Sequence, residues 1–246
     1  MRFFFHLGRY FILIYKSFSK PEKVKIYFRQ IINEIDFIGI ESLGIIAIIS
    51  VFMGAVVVIH TAFSLESPWL PLYYISYAAR KSVILEFSST VISLILAGKV
   101  GSRIASEIGT MRVTEQIDAM EIMGVNSAAY LIFPKIVAAV FIFPFLMILS
   151  MFIAIFGGYA AGVYGELLTA TDFFAGLRLD FDTFEVTYST IKMAFYGFVI
   201  TSIPAYHGYY AYGGALDVGR ASTRAVVYTS IAILIINYVV TQILLT

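Results

Sequence analysis

Glu86 and Lys192 each stand inside a largely apolar run, ILEFSSTVISLILAG around the glutamate and VTYSTIKMAFYGFVI around the lysine. A charge held in hydrocarbon is costly, so such a residue marks an ion or proton path, or a cavity that takes a polar headgroup. The plainer reading places both side chains close enough to the end of a span to reach water. Other chemistry is poorly served. The chain has no HExxH and no GxSxG, and Gly98-Lys99 lacks the upstream glycine and following Ser/Thr of a P-loop. His6, His60 and His207 are far apart in sequence and suggest no metal site. With no cysteine there is no thiolate chemistry and no disulfide. The chain is expected to be no enzyme, to hold no cofactor and to bind no nucleic acid.

The elements that must position these two charges are membrane spans. Of 246 residues, 60% are hydrophobic and 13% charged, against about 45–50% and 25% in soluble domains. A spanning helix needs about 20 apolar residues. Five runs qualify as an expectation: 43–63, 82–104, 136–163, 186–206 and 225–245. The stretch 136–165 is uncharged for 30 residues, about 45 Å of helix, and reads as one helix kinked at Pro144 rather than two. Residues 3–15 are apolar but broken by His6 and Arg9, and a basic stretch from Lys16 to Lys25 follows. That pattern fits a helix lying at the membrane surface rather than a cleaved signal.

Lys and Arg are unevenly placed. Thirteen lie in 1–42, 99–135 and 207–224; only Arg80, Lys81, Arg178 and Lys192 lie elsewhere. The asymmetry puts the N-terminus and the 99–135 loop in the cytoplasm and, with five spans, the C-terminus in the periplasm. Trp69, Tyr73, Tyr74 and Tyr77, with Pro68 and Pro71, read as an aromatic belt on a loop or broken helix at the far side. No repeat or linker divides the chain, so a single domain over 1–246 is expected, with 1–42 as interfacial helix and lead-in.

Helices in lipid associate through small residues. Ala97, Gly101, Ala105 and Gly109 recur every four positions, and Gly158 and Gly162 make a GxxxG pair. These are packing features first. In the intervening loop, Val113, Ile117, Met120 and Met123 fall on one helical face, Gly124 stands where a C-terminal cap belongs, and Glu115, Asp118 and Glu121 fill the other faces. Residues 113–123 therefore read as an amphipathic helix too short to span. It is acidic, which suits a groove on a protein better than an anionic membrane surface.

The run GKVGSRIASEIGTMRVTEQIDAMEIMGV resembles the signature of the MlaE/YrbE permease family. GALDVGRASTRAVV at 214–227 and, more weakly, IKMAFYG at 191–197 resemble two further family segments. The resemblance implies an all-α integral membrane protein: an N-terminal interfacial helix, five spans, and a short cytoplasmic coupling helix at about 113–123 between the second and third. It implies the permease subunit of an MCE-associated ABC transporter in the bacterial inner membrane. That subunit would be a homodimer moving phospholipid between inner and outer membranes. ATP and Mg would be bound by a separate MlaF-like ATPase, an MlaD-like MCE-domain protein would stand over the cavity, and some systems add an MlaB-like STAS-domain protein.

Residue by residue, Glu107, Arg112, Glu115, Gln116, Asp118, Met120, Glu121 and Met123 match the coupling region. Gly219, Arg220, Thr223 and Arg224 match the second segment, with a structural or partner-facing role. Glu86 aligns with a family glutamate, but the Gly-Pro that follows it elsewhere is absent from LEFSST, which leaves a break in the helix there in doubt. Glu86 and Lys192 are the candidates for the lipid path. The rival reading is an ion-coupled secondary transporter that uses the same pair as a relay. An acidic docking helix and the lack of an inverted repeat argue against it.

Overall fold

The computed structural model describes residues 2–19, 24–65 and 69–245. Lys20 and Lys23 of the basic stretch and Pro68 of the aromatic segment lie outside them. Every regular element among the described residues is helical. Helix α1 is Arg2–Ser17. Helix α2 runs over 24–64 as Val24–Ile35, a wide π turn at Asp36–Ile40, and Glu41–Ser64. Helix α3 runs over 73–113, with π turns at Val83–Val91 and Ala97–Gly101. The short α4 is Gln116–Ile122. Then come α5 (Ser127–Tyr164), α6 (Ala170–Arg178), α7 (Thr183–Tyr209) and α8 (Ala215–Leu245).

Among the described residues, four helical stretches are long and apolar enough to cross a membrane: Lys25–Ser64, Tyr73–Val113, Ser127–Tyr164 and Ala215–Leu244. The expected span at 186–206 lies in α7, which has 27 residues but is not among the four. Its serines, threonines, tyrosines and Lys192 dilute its apolar character. The second span is longer than 82–104, because one helix takes in Tyr73, Tyr74 and Tyr77; the belt tyrosines thus sit on a helix and not a loop. The 136–165 stretch is one helix, begun nine residues earlier at Ser127.

The described residues fall into two compact units. The first comprises Met1–Glu41, Ser93–Phe143 and Ala194–Thr246; the second comprises Ser42–Ile92 and Pro144–Met193. In the first, the small-residue stripe of α3 is buried at all four positions, Ala97, Gly101, Ala105 and Gly109. Pro204 of α7 packs over Gly101, and Val218 of α8 over Gly109. Helix α1 has its sides reversed relative to a helix on a water-soluble core. Leu13 and Ser17 are buried, His6, Arg9 and Tyr10 contact α7, and Phe4, Phe11 and Tyr15 are left exposed. An apolar outer face is what contact with lipid calls for.

In the second unit, Ser42, Ile46, Ser50, Gly54, Val57 and Val58 make the buried stripe of α2, at the four-and-three spacing of one helical face. Its bulky residues, Ile48, Phe52, Val56 and Phe63, are exposed. The stripe lies on α5 at backbone contact. A methyl group on Gly54 would overlap the Ala154 carbonyl, and one on Gly157 would overlap that of Val51. The Ser50 and Ser150 hydroxyls bond across at 2.8 Å. Gly158 and Gly162 of the GxxxG pair face Val58. Val57, Val58, Ala79, Val83, Ala154 and Phe173 close the core.

Candidate functional site

Both units hold ionisable groups clustered around residues that the sequence singles out. In the second unit, Lys192 is fully buried. Its ammonium group donates to Glu86 Oε1 at 3.0 Å, to the Leu85 carbonyl at 3.1 Å and to the Tyr188 hydroxyl at 3.1 Å. Three acceptors match the three protons of an ammonium. The π turn at Val83–Val91 is what frees the backbone here. A wide turn shifts the register of the carbonyls, so that those of Ile84 and Leu85 are open to Ser189 and Lys192 of α7. Thr90 donates to the other Glu86 oxygen at 2.9 Å, and the glutamate side chain keeps 43% exposure. The two charges are therefore partners, which sequence spacing of 106 residues gives no hint of. The helix does not break after Glu86; it widens.

The nearby Arg80 is also buried. It donates to the carbonyls of Leu177, Leu179 and Asp180 at 2.7, 3.0 and 3.1 Å, so it caps the end of α6. It lies 3.8 Å from Glu185.

In the first unit, α4 is shorter than residues 113–123. Val113 ends α3, and the chain turns through Thr114 and Glu115 before α4 begins. Glu115 takes the left-handed conformation, φ 60°, which no single-helix periodicity anticipates. Gly124, φ +80°, closes the other end, as its position suggested. Ile117 is fully buried and Met120 half-buried, while Met123 and its neighbour Ile122 point outward, 70% and 87% exposed. The apolar stripe is thus split between an anchor and a free tip.

The acids of α4 are engaged within the chain. Asp118 pairs with Arg112 at 2.6 Å. Glu121 accepts from the Tyr209 hydroxyl at 2.8 Å and from Ser127 at 3.0 Å, and those two hydroxyls are 2.8 Å apart. The Tyr209 bond, working against partial burial, holds the Glu121 carboxyl below the usual glutamate range. Burial pushes the Tyr209 phenol up to about 12. Helix α4 is therefore fastened to the end of α3, the start of α5 and the end of α7. Gln116 bonds Thr114, and Glu115 is exposed. Glu107 joins a separate bridge: the buried Lys135 ammonium lies 2.9 Å from Glu107 and 2.7 Å from Glu34. Ile122, Ser127, Lys135, Glu34 and Tyr209 are the members that the sequence reading missed. Ile122 sits directly beside Met123 in the same run and was legible; the others carry no local signal.

Gly219, Arg220, Thr223 and Arg224 lie exposed on one face of α8, with Arg220 3.5 Å from Asp217. Nothing approaches Gly219.

Residues 31–243 match the family described as Permease MlaE. A probable ABC transporter permease protein of Rickettsia bellii is 36% identical over 241 residues, covering 96% of this chain and 91% of that one. The intermembrane phospholipid transport system permease protein MlaE of Haemophilus influenzae is 27% identical over 248 residues, 98% and 93% of the two chains. The chloroplastic protein Trigalactosyldiacylglycerol 1 of Arabidopsis thaliana is 29% identical over 223 residues, 89% of this chain and 63% of that one.

Proposed function

The chain belongs to the MlaE permease family, and we propose that it is the non-catalytic, membrane-spanning subunit of an ABC transporter that moves phospholipid between the inner and outer membranes. The Haemophilus relative, named for intermembrane phospholipid transport, supports the cargo. In this reading the chain is one permease domain in the inner membrane. It has five spans, α7 supplying the fourth, an N-terminus in the cytoplasm and a C-terminus in the periplasm. It works as a homodimer with a cytoplasmic ATPase that binds ATP and Mg, and with an MCE-domain protein on the periplasmic side; a STAS-domain protein is a further partner in some systems of this kind.

The observation that carries the docking role is the split face of α4. Its acids are satisfied within the chain, so they hold the helix in place, and Ile122 and Met123 stand out in the open. Two adjacent large apolar tips on a rigidly seated helix are the form of a knob for a partner's groove. Arg112, Asp118 and Glu121 act as its mount, with Glu107 in the separate Lys135 bridge; Met123 is part of the knob, Met120 lies one turn before it, and Glu115 and Gln116 stand exposed at the other end of α4 as further docking contacts. In this reading Glu86 lines the lipid path, its half-exposed carboxylate offering a polar edge to a headgroup, and the buried Lys192 holds it there. Three acceptors fix the Lys192 ammonium in place, the arrangement of a tie between helices.

The test is purification of the tagged chain from its native membrane in mild detergent, with mass spectrometry of what accompanies it. An ATPase and an MCE-domain protein in stoichiometric amounts are expected. A chain that comes down alone and monodisperse would overturn the reading in favour of an ion-coupled transporter.

A further inference from the structure

The polar side of α1 meets the end of α7, which in turn stacks on α8, in a cationic, aromatic cluster that the transport reading does not use. His6 Nδ1 lies 2.8 Å from the Tyr206 hydroxyl. The Arg9 guanidinium sits 3.8 Å from the centre of the Tyr210 ring. On the next flank of α7, His207 stacks on Tyr228 of α8, the ring centres 5.3 Å apart and the planes within 9°. Arg224 precedes Tyr228 by one helical turn and is exposed. Burial first, then the charges of His6 and Arg224, hold the His207 pKa down to about 4, so positive charge from α1 and α8 reaches one ring. Among the described residues neither Arg9 nor Arg224 is in an ion pair, whereas Arg220 leans on Asp217.

The surroundings say which anion would fit. Phe4, Phe5, Leu7, Phe11 and Ile12 are exposed on the outer side of α1. That face requires hydrocarbon. The cluster also stands where the polar first turns of α8 give way to its uncharged run 225–245. Both observations put it at the level where acyl chains meet headgroups.

We propose that His6, Arg9, His207 and Arg224 form a binding site for the phosphate of an anionic membrane lipid, with Tyr210 and Tyr228 backing the cationic and imidazole groups and the acyl chains lying on the phenylalanine face of α1. The site holds a resident lipid. It does not rest on the transport reading, since it requires only that α1 meet a bilayer. The guanidinium groups supply paired donors suited to phosphate oxygens, and the neutral His207 ring donates one N–H.

The experiment uses the full chain purified in neutral detergent, exchanged with phosphatidylglycerol or phosphatidylcholine, and examined by native mass spectrometry. Wild type retains one phosphatidylglycerol per chain and little phosphatidylcholine. Removing two basic residues in Arg9→Gln with Arg224→Gln weakens retention about thirtyfold, while Arg178→Gln, an exposed arginine of α6, has no effect. Arg9→Lys with Arg224→Lys guards against misfolding and retains the lipid in part. In wild type the His207 ring, followed by NMR, titrates at higher pH with phosphatidylglycerol bound than with phosphatidylcholine. Equal retention of the two lipids, or equal loss in Arg178→Gln, would overturn the site. Displacement of the lipid by inorganic phosphate would overturn the lipid assignment in favour of a free anion.

Discussion

At the scale of single residues, strain and burial decide what each substitution does. Glu115 holds a left-handed backbone that costs an L-residue roughly 1–2 kcal/mol. Glu115→Gly should therefore stabilise the fold by up to about 1 kcal/mol, read as a higher thermal transition in detergent, and Glu115→Val should lower that transition; the reverse order would mean that the turn is not formed. Lys192 is the opposite case, a satisfied charge. Lys192→Met removes the ammonium that donates to Glu86, the Leu85 carbonyl and the Tyr188 hydroxyl. Breaking a buried pair costs about 3–5 kcal/mol, and water reaching the 43% exposed glutamate reduces that. Glu86→Gln keeps an acceptor in place and should cost less, by chemical or thermal unfolding. Glu121 sets the pH behaviour of α4. Its folded carboxyl ionises below its ordinary range because Tyr209 donates to it. The stabilisation is thus fully present above the unfolded glutamate pKa and is lost as pH falls through the folded one. The chain has no cysteine, so Ile122→Cys carries a single spin label. Its mobility should stay constant from neutral pH down to the usual glutamate range and rise below it. A label that loosens near neutrality would count against the Glu121 seat.

At the scale of elements, helices pack here by bringing backbones together, which gives glycines unequal weight. Gly54 faces the Ala154 carbonyl, and Gly219 faces open space. Gly54→Leu should overpack the α2–α5 contact by roughly 1–3 kcal/mol or more, whereas Gly219→Ala should be neutral or favour α8 by up to about 1 kcal/mol. Thermal unfolding of the two variants side by side checks this, and equal losses would contradict the packing described. The same contrast shows what the sequence could convey. The small-residue periods of α3 and α5 were legible because helical spacing alone defines a face. Their partners, Gly54, Ser50 and Pro204, were not, since which helix lies opposite depends on tertiary packing. Helix ends followed the same division. Gly124 announced the end of α4, a local conformational matter. The start was placed at Val113 instead of Gln116, because a glutamate at φ 60° contradicts its own preference and is held there by Arg112–Asp118 and Tyr209–Glu121. The helical nature of the chain was plain from composition. The pairing of Glu86 with Lys192 was hidden, because it depends on carbonyls that a π turn exposes.

At the scale of the whole molecule, the described chain is dressed for lipid, with bulky apolar groups outward and small or polar groups inward, yet its spans are not equally covered. In their most apolar windows, 33% of Lys25–Ser64, 56% of Tyr73–Val113 and 44% of Ser127–Tyr164 is buried, against 11% of Ala215–Leu244. Without a hydrophobic drive between helices in a bilayer, a span is held by packing and polar contacts, and the apolar window of α8 is the least buried of the four. Tyr196 reaches Asn237 at 3.1 Å, while Ile231, Leu234, Ile235 and Tyr238 remain open. If the homodimer proposed for this permease forms, α8 is the span with most to gain from a second copy. Single cysteines test this directly. Leu234→Cys in native membranes should give a cross-linked dimer on mild oxidation, and Phe52→Cys, equally apolar and exposed on α2, should not. A cross-link at Phe52 alone would move the interface to α2, and none at either position would leave α8 facing lipid.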